Sequence, residues 1–155
     1  MGKLTSFEDL NGNKIQIRYS NNEISEVEDP TGRITSFTYL NNRLEDIITY
    51  AGTKVHFSYT NSQLAGVEYY DDKGSLYRTI GYKYGVSGKL EEYTNPNNKT
   101  VTFQYNGHRL MAVKGTLTTR NAATGQLNNP YPVHESFNYD LLKKTTQVTD
   151  RKSVV

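Results

Sequence analysis

Gly12-Asn13-Lys14-Ile15-Gln16-Ile17-Arg18-Tyr19-Ser20-Asn21-Asn22-Glu23-Ile24-Ser25-Glu26-Val27-Glu28-Asp29-Pro30-Thr31 is the stretch whose reading decides the fold. It recurs. The next copies begin at Gly32 (GRITSFTYLNNRLEDIITYA) and Gly52 (GTKVHFSYTNSQLAGVEYY), each about twenty residues on. The same columns return in phase: Ile17 and Tyr19, Phe37 and Tyr39, Phe57 and Tyr59. Ile24, Leu44 and Leu64 follow each tyrosine, then Val27, Ile47 and Val67. Such a period marks a repeat architecture, in which one unit covers the apolar face of the next.

Within the unit, Ile15, Ile17 and Tyr19 alternate with Lys14, Gln16 and Arg18, the pattern of a strand with one covered face. Asn21-Asn22 supplies two residues that tolerate positive φ, as a tight hairpin turn requires. On the return strand, Ile24 and Val27 are spaced by three, which breaks alternation and predicts a bulge in every unit. Asp29-Pro30-Thr31-Gly32 then reads as a type I turn into the next unit, with Gly52 in the place of Gly32 one unit later. Each unit is therefore expected to be a β-hairpin and the chain an all-β antiparallel meander.

Residues 2–11 form the second half of a unit, and further units start at 12, 32, 52, 77 and 98. Asp71-Asp72-Lys73-Gly74 reads as part of an insertion of about five residues in the third unit. Tyr82 with Tyr84 and Phe103 with Tyr105 then restore the aromatic columns, and Asn95-Pro96-Asn97-Asn98 is a link. Residues 116–133 form a polar, turn-rich insertion, after which 134–155 is a partial final unit carrying Phe137, Tyr139, Val148 and Asp150. Only Asp140–Lys144 has helix-like composition, where a return strand is expected. Inserted loops in repeats lie on one face, so 116–133 is a local candidate for contacts.

The rhythm G…(I/F)xY…(L/I)xx(V/I)xD…G resembles the YD repeats, also called Rhs repeats, over nearly the whole chain outside 116–133. Ser20, Leu40, Thr60, Gly85 and Asn106 follow the column tyrosines, and only Tyr139-Asp140 has the pair that names the repeat. The resemblance implies a curved or spiralling sheet within a large secreted or surface-exposed bacterial protein. There the repeats build a scaffold or shell around a toxic domain encoded elsewhere. The partner it implies is the remainder of a longer chain.

Composition agrees with packing by layers of tyrosine. Of 155 residues only 35% are apolar, while 13 are tyrosines, whose rings pack and whose tips stay polar. A formal charge of +2 with scattered cations argues against nucleic acid, and no apolar run reaches membrane-spanning length. Cysteine is absent, which excludes disulfides and thiolate metal sites.

No catalytic motif emerges. His56, His108 and His134 show no metal-ligand spacing, and Glu91-Glu92 and Asp71-Asp72 are sequence neighbours that point to opposite faces of a strand. No cofactor, metal or catalytic residue is expected, and the DPxGxxxG processing pattern of toxin-bearing relatives is missing. The alternative to a scaffold is a carbohydrate-binding module for cell-surface or cell-wall glycans, using Tyr19, Tyr39, Tyr59, Tyr84 and Tyr105 as a platform. Buried rings would favour the scaffold; a solvent-facing row would favour glycans. Edges at Leu4–Glu8 and Gln147–Asp150 are open to edge-to-edge self-association.

Overall fold

The computed structural model describes residues 2–117, 131–140 and 145–152. These form thirteen strands with antiparallel pairing in chain order, and no helix occurs among the described residues. The chain divides into two compact units, Met1–Thr79 and Ile80–Val155. The first holds β1 (Ser6–Glu8), β2 (Lys14–Ser20), β3 (Glu23–Glu28), β4 (Ile34–Leu40), β5 (Arg43–Ile48), β6 (Lys54–Thr60) and β7 (Gln63–Tyr70). β8 (Leu76–Tyr84) begins in the first unit and ends in the second. The second continues with β9 (Leu90–Thr94), β10 (Thr100–Asn106), β11 (Arg109–Leu117), β12 (Tyr131–Asp140) and β13 (Thr145–Lys152).

In the first unit, the β2–β3, β4–β5 and β6–β7 hairpins share one register. Ile17 faces Val27, Phe37 faces Ile47 and Phe57 faces Val67; Tyr19 faces Ile24, Tyr39 faces Leu44 and Tyr59 faces Leu64. Between these pairs the return strand carries one extra residue, Ser25, Glu45 or Ala65. That bulge is why aliphatic residues three apart can both lie on the apolar face. In the second unit β8–β9 and β10–β11 repeat it, with Glu91 and Met111 as the extra residues. The predicted bulge is present in all five hairpins. β12–β13 pairs Phe137 with Val148 and Tyr139 with Thr146 without a register shift.

The tips of the first-unit hairpins have φ of 48° and 72° at Asn21 and Asn22, 52° and 59° at Asn41 and Asn42, and 49° and 71° at Asn61 and Ser62. Two successive positive values are the turn whose twist matches the flanking strands. The links are a different turn. Gly32 N–H donates to Asp29 O and Asp29 N–H to Arg33 O, with Gly32 at φ 83°. Asp9–Asn13, Thr49–Thr53, Asp71–Ser75 and Asn95–Lys99 repeat this backbone pattern.

Two expectations change in detail. Asp71–Gly74 is no insertion but the link turn itself, and the additional residues lengthen the strands beside it. β7 and β8 run 8 and 9 residues where β3 and β2 run 6 and 7. The 116–133 insertion is narrower than its composition suggests, because Thr116 pairs with Pro132 and Leu117 with Tyr131. Its middle, 118–130, lies outside the described residues, as do 141–144 of the helix-like Asp140–Lys144. Asp140 itself ends β12.

Burial is shallow. Among the described residues only Val67, Ile80 and Ala112 are buried, and the aromatic columns are half-buried. Tyr59 is 36% exposed. The opposite face carries cross-strand charge pairs, Arg18–Glu26 at 2.9 Å and Lys83–Glu92 at 2.9 Å. Exposed pairs of this kind contribute little to stability and chiefly keep that face wet.

Candidate functional site

Each bulge ends a seam. The ladder between β3 and β4 runs from Glu28 to Glu26 and stops beside Ser25. Between β5 and β6 it stops at Asp46 beside Glu45, and between β9 and β10 at Glu92 beside Glu91. A bulge bends its strand away from the neighbour, so the backbones part on the tip side. The result is a groove of the same construction at each of these three seams. One lies among Ser25, Ile24, Phe37 and Tyr39, and a second among Glu45, Arg43, Phe57 and Tyr59. In the second unit the groove is lined by Glu91, Lys89, Phe103 and Tyr105.

The tyrosines bridge these grooves. Tyr19 hydroxyl donates to Leu4 O at 2.8 Å, and Tyr59 hydroxyl to Leu44 O at 3.0 Å, each a column residue of the preceding hairpin. The residue before that column lays a cation on the same ring. Lys3 Nζ is 4.5 Å from the Tyr19 centroid, the Arg43 guanidinium 5.6 Å from Tyr59, and Lys89 Nζ 5.6 Å from Tyr105. Lys89 also donates to Gly107 O, and Lys3 to Asn22 O at 2.7 Å. A cation over an aromatic face contributes about 0.5–1 kcal/mol at exposed sites. The tyrosine column is therefore a row of clasps between hairpins. Tyr39 departs from it: the residue before Ile24 is Glu23, whose charge, after burial, pushes the Tyr39 phenol above its usual range. Tyr82 packs on Tyr93 at 5.7 Å, and Tyr84 lies opposite Leu90.

At the links the first residue does the capping. Asp29 Oδ1 accepts from Thr31 N–H at 2.8 Å and from Arg33 N–H at 3.1 Å. Asp9 and Asp71 accept in the same way, as does Asn95 through its amide oxygen. The Thr31 side chain, with further help from Arg33, holds the Asp29 carboxyl far below the usual range, and hydrogen bonds from Asn13 lower that of Asp9. The recurring aspartate is thus a turn cap. Pro30 occupies the second place of that turn, and Gly32 and Gly52, at φ 83° and 81°, the fourth.

One cluster was not visible in the sequence. Cross-strand pairing brings Asp46 to His56, with Nδ1 at 2.8 Å from Oδ1, and places Glu68 on the other side of His56. Tyr70 hydroxyl donates to Glu68, and Lys54 lies over the Tyr70 ring at 4.7 Å. His108 is exposed at a hairpin tip, and His134 lies opposite Lys114. Among the described residues no three histidine, aspartate or glutamate side chains gather into a metal-binding group. Glu91 sits in a bulge and Glu92 pairs with Lys83, and both line the groove between β9 and β10.

No protein-family model and no curated protein matches the sequence. Solved structures do. A crystal structure of TcdB2-TccC3-TEV superposes with a TM-score of 0.71 at 16% identity, over 96% of this chain and 9% of that one. The Photorhabdus luminescens Tc holotoxin pore, carrying a TccC3 mutation, gives 0.71 at 13% identity, over 96% and 8%. At these identities the likeness shows the fold. The meander of hairpins expected from the YD-repeat resemblance is the fold found.

Proposed function

We propose that this chain is a non-catalytic structural segment of a longer, secreted YD-repeat protein, building a β-sheet scaffold or shell around cargo encoded elsewhere. The observation that carries the reading is the single register device repeated in five hairpins, each with its extra residue at the same column. A catalytic site departs from its scaffold in one place, whereas here Tyr19, Tyr59 and the cations over them dock one hairpin on its neighbour. The tyrosines favour the scaffold over a glycan platform. The rings of Tyr19, Tyr39, Tyr84 and Tyr105 are half-buried, and the hydroxyls of Tyr19 and the more exposed Tyr59 are bonded to the preceding hairpin. The chain spans less than a tenth of the similar chains, so enclosure of cargo would belong to a much longer assembly.

Excising one whole repeat, Gly32–Ala51, tests the scaffold. The cut joins Thr31 to Gly52 and restores the link, so the shortened chain should keep its β circular dichroism and melt cooperatively at a lower temperature. Loss of folding, or turnover of a glycan substrate by the intact chain, would overturn the reading. For enclosure, a cargo domain expressed within a full-length repeat protein carrying residues 1–155 should resist trypsin. Digestion as fast as that of free cargo would remove the shell from the proposal.

A further inference from the structure

The groove between the β2–β3 and β4–β5 hairpins differs from its equivalents in what it leaves uncommitted. Lys3, Arg43 and Lys89 each lay a cation over the ring of the column tyrosine, Tyr19, Tyr59 and Tyr105. In this groove the same position is Glu23, which brings a negative charge to the ring of Tyr39. Among the described residues no hydrogen bond or ion pair engages the Glu23 carboxylate, and the Tyr39 hydroxyl donates to no carbonyl. An aromatic face, a phenol and a carboxylate therefore line about 250 Å³ of open space, the size of the Arg43 groove at about 240 Å³, but with no cation of this chain over the ring.

The geometry points to this groove as a receptor for a basic side chain, arginine or lysine, presented by a partner polypeptide. Charge complementarity carries the assignment: a ring quadrupole and a carboxylate both attract a cation, and each contact is stronger where water is partly excluded. The rim favours a polypeptide over a free amine. Asn21, Asn41 and Asn42 offer amides there, and backbone groups past the end of the three-pair seam can hydrogen-bond a main chain. The partner's cation would occupy the place that Arg43 takes one hairpin later.

The test uses the full chain, with Tyr ring resonances followed by NMR as acetyl-Gly-Arg-Gly-amide is added. The citrulline peptide and spermine serve as comparisons. The arginine peptide should shift Tyr39 saturably and leave Tyr19 and Tyr59 unmoved, with the citrulline peptide weaker by about two- to fivefold. Glu23→Gln should weaken binding by a similar factor, and Glu23→Arg should abolish it by removing the carboxylate and laying the chain's own cation over the ring. An equal response to citrulline, equal shifts at Tyr59, or indifference to Glu23→Gln would overturn the proposal. Spermine binding at Tyr39 as tightly as the peptide would overturn the polypeptide assignment.

Discussion

The two ends of each first-unit hairpin are closed by opposite means. At the tip, Asn41 and Asn42 adopt positive φ in succession, and the turn is made by backbone conformation alone. At the link, Asp29 adds a carboxylate that gathers two backbone N–H groups, and one residue, Gly32, has positive φ. The tip side of the β3–β4 and β5–β6 seams is an open groove, bridged by side chains at β5–β6, while the link side of each is joined by a three-pair ladder. The molecule contains its own control. Gly85–Lys89 makes the link's backbone turn at the tip of β8–β9 with glycine in the aspartate's place. The turn itself thus needs no carboxylate. What the aspartate adds is a charged acceptor, and with it sensitivity to acid.

The largest test of this contrast is Gly32→Val. Its Cβ would meet only Glu28 Oε1 at 4.0 Å, so the expected loss of about 2–3 kcal/mol in a denaturant titration is conformational. Gly32→Asn should cost a small part of that, since Asn98 holds φ 56° at the equivalent link. Next comes the tip: Asn41→Ala with Asn42→Ala should lose about 1–2 kcal/mol, and Asn42→Gly close to nothing. A double alanine variant as stable as the parent would break the contrast at its tip end.

The groove clasps are smaller. Tyr59→Phe removes a hydrogen bond to Leu44 O and should lose about 0.5–1 kcal/mol, whereas Tyr39→Phe should be neutral. Equal losses from the two would show that the hydroxyls are not what joins the hairpins. The Asp29 carboxyl is held below its unfolded value, so its contribution is complete above pH about 4 and fades as pH falls through the folded value. Asp29→Asn keeps the acceptor, as Asn95 does, and should flatten the acid side of the melting-temperature profile. A profile unchanged below pH about 4 would place the acid sensitivity elsewhere. Smallest is Glu23→Arg, which should add a fourth cation to Lys3, Arg43 and Lys89 and gain about 0.5–1 kcal/mol.

Much of this was legible in the columns. A three-residue gap between Ile24 and Val27 can keep both on one face only through an extra residue, and Asn-Asn after a strand has few other uses. The five additional residues near Asp71 misled because periodicity cannot tell a longer strand from a loop. His56 beside Asp46 stayed hidden because the pairing crosses a link, and register across a link is not written in either strand alone. The cation clasps were hidden for the same reason: Lys3 and Tyr19 stand apart in sequence and meet only across a seam. Half-burial of the columns could not be read either, since alternation reports that one face is apolar and not how completely it is covered.

The three-pair seams give the sheet an order of failure under load. The β2–β3 and β4–β5 hairpins are each zipped by five pairs, while the seam between them has three. A force pulling across the strands would part the weakest line first, releasing one intact hairpin at a time. Each released hairpin would keep its tip closed and its bulge set. Recoil would then require only three pairs to re-form, and the sheet would stretch in discrete, reversible steps.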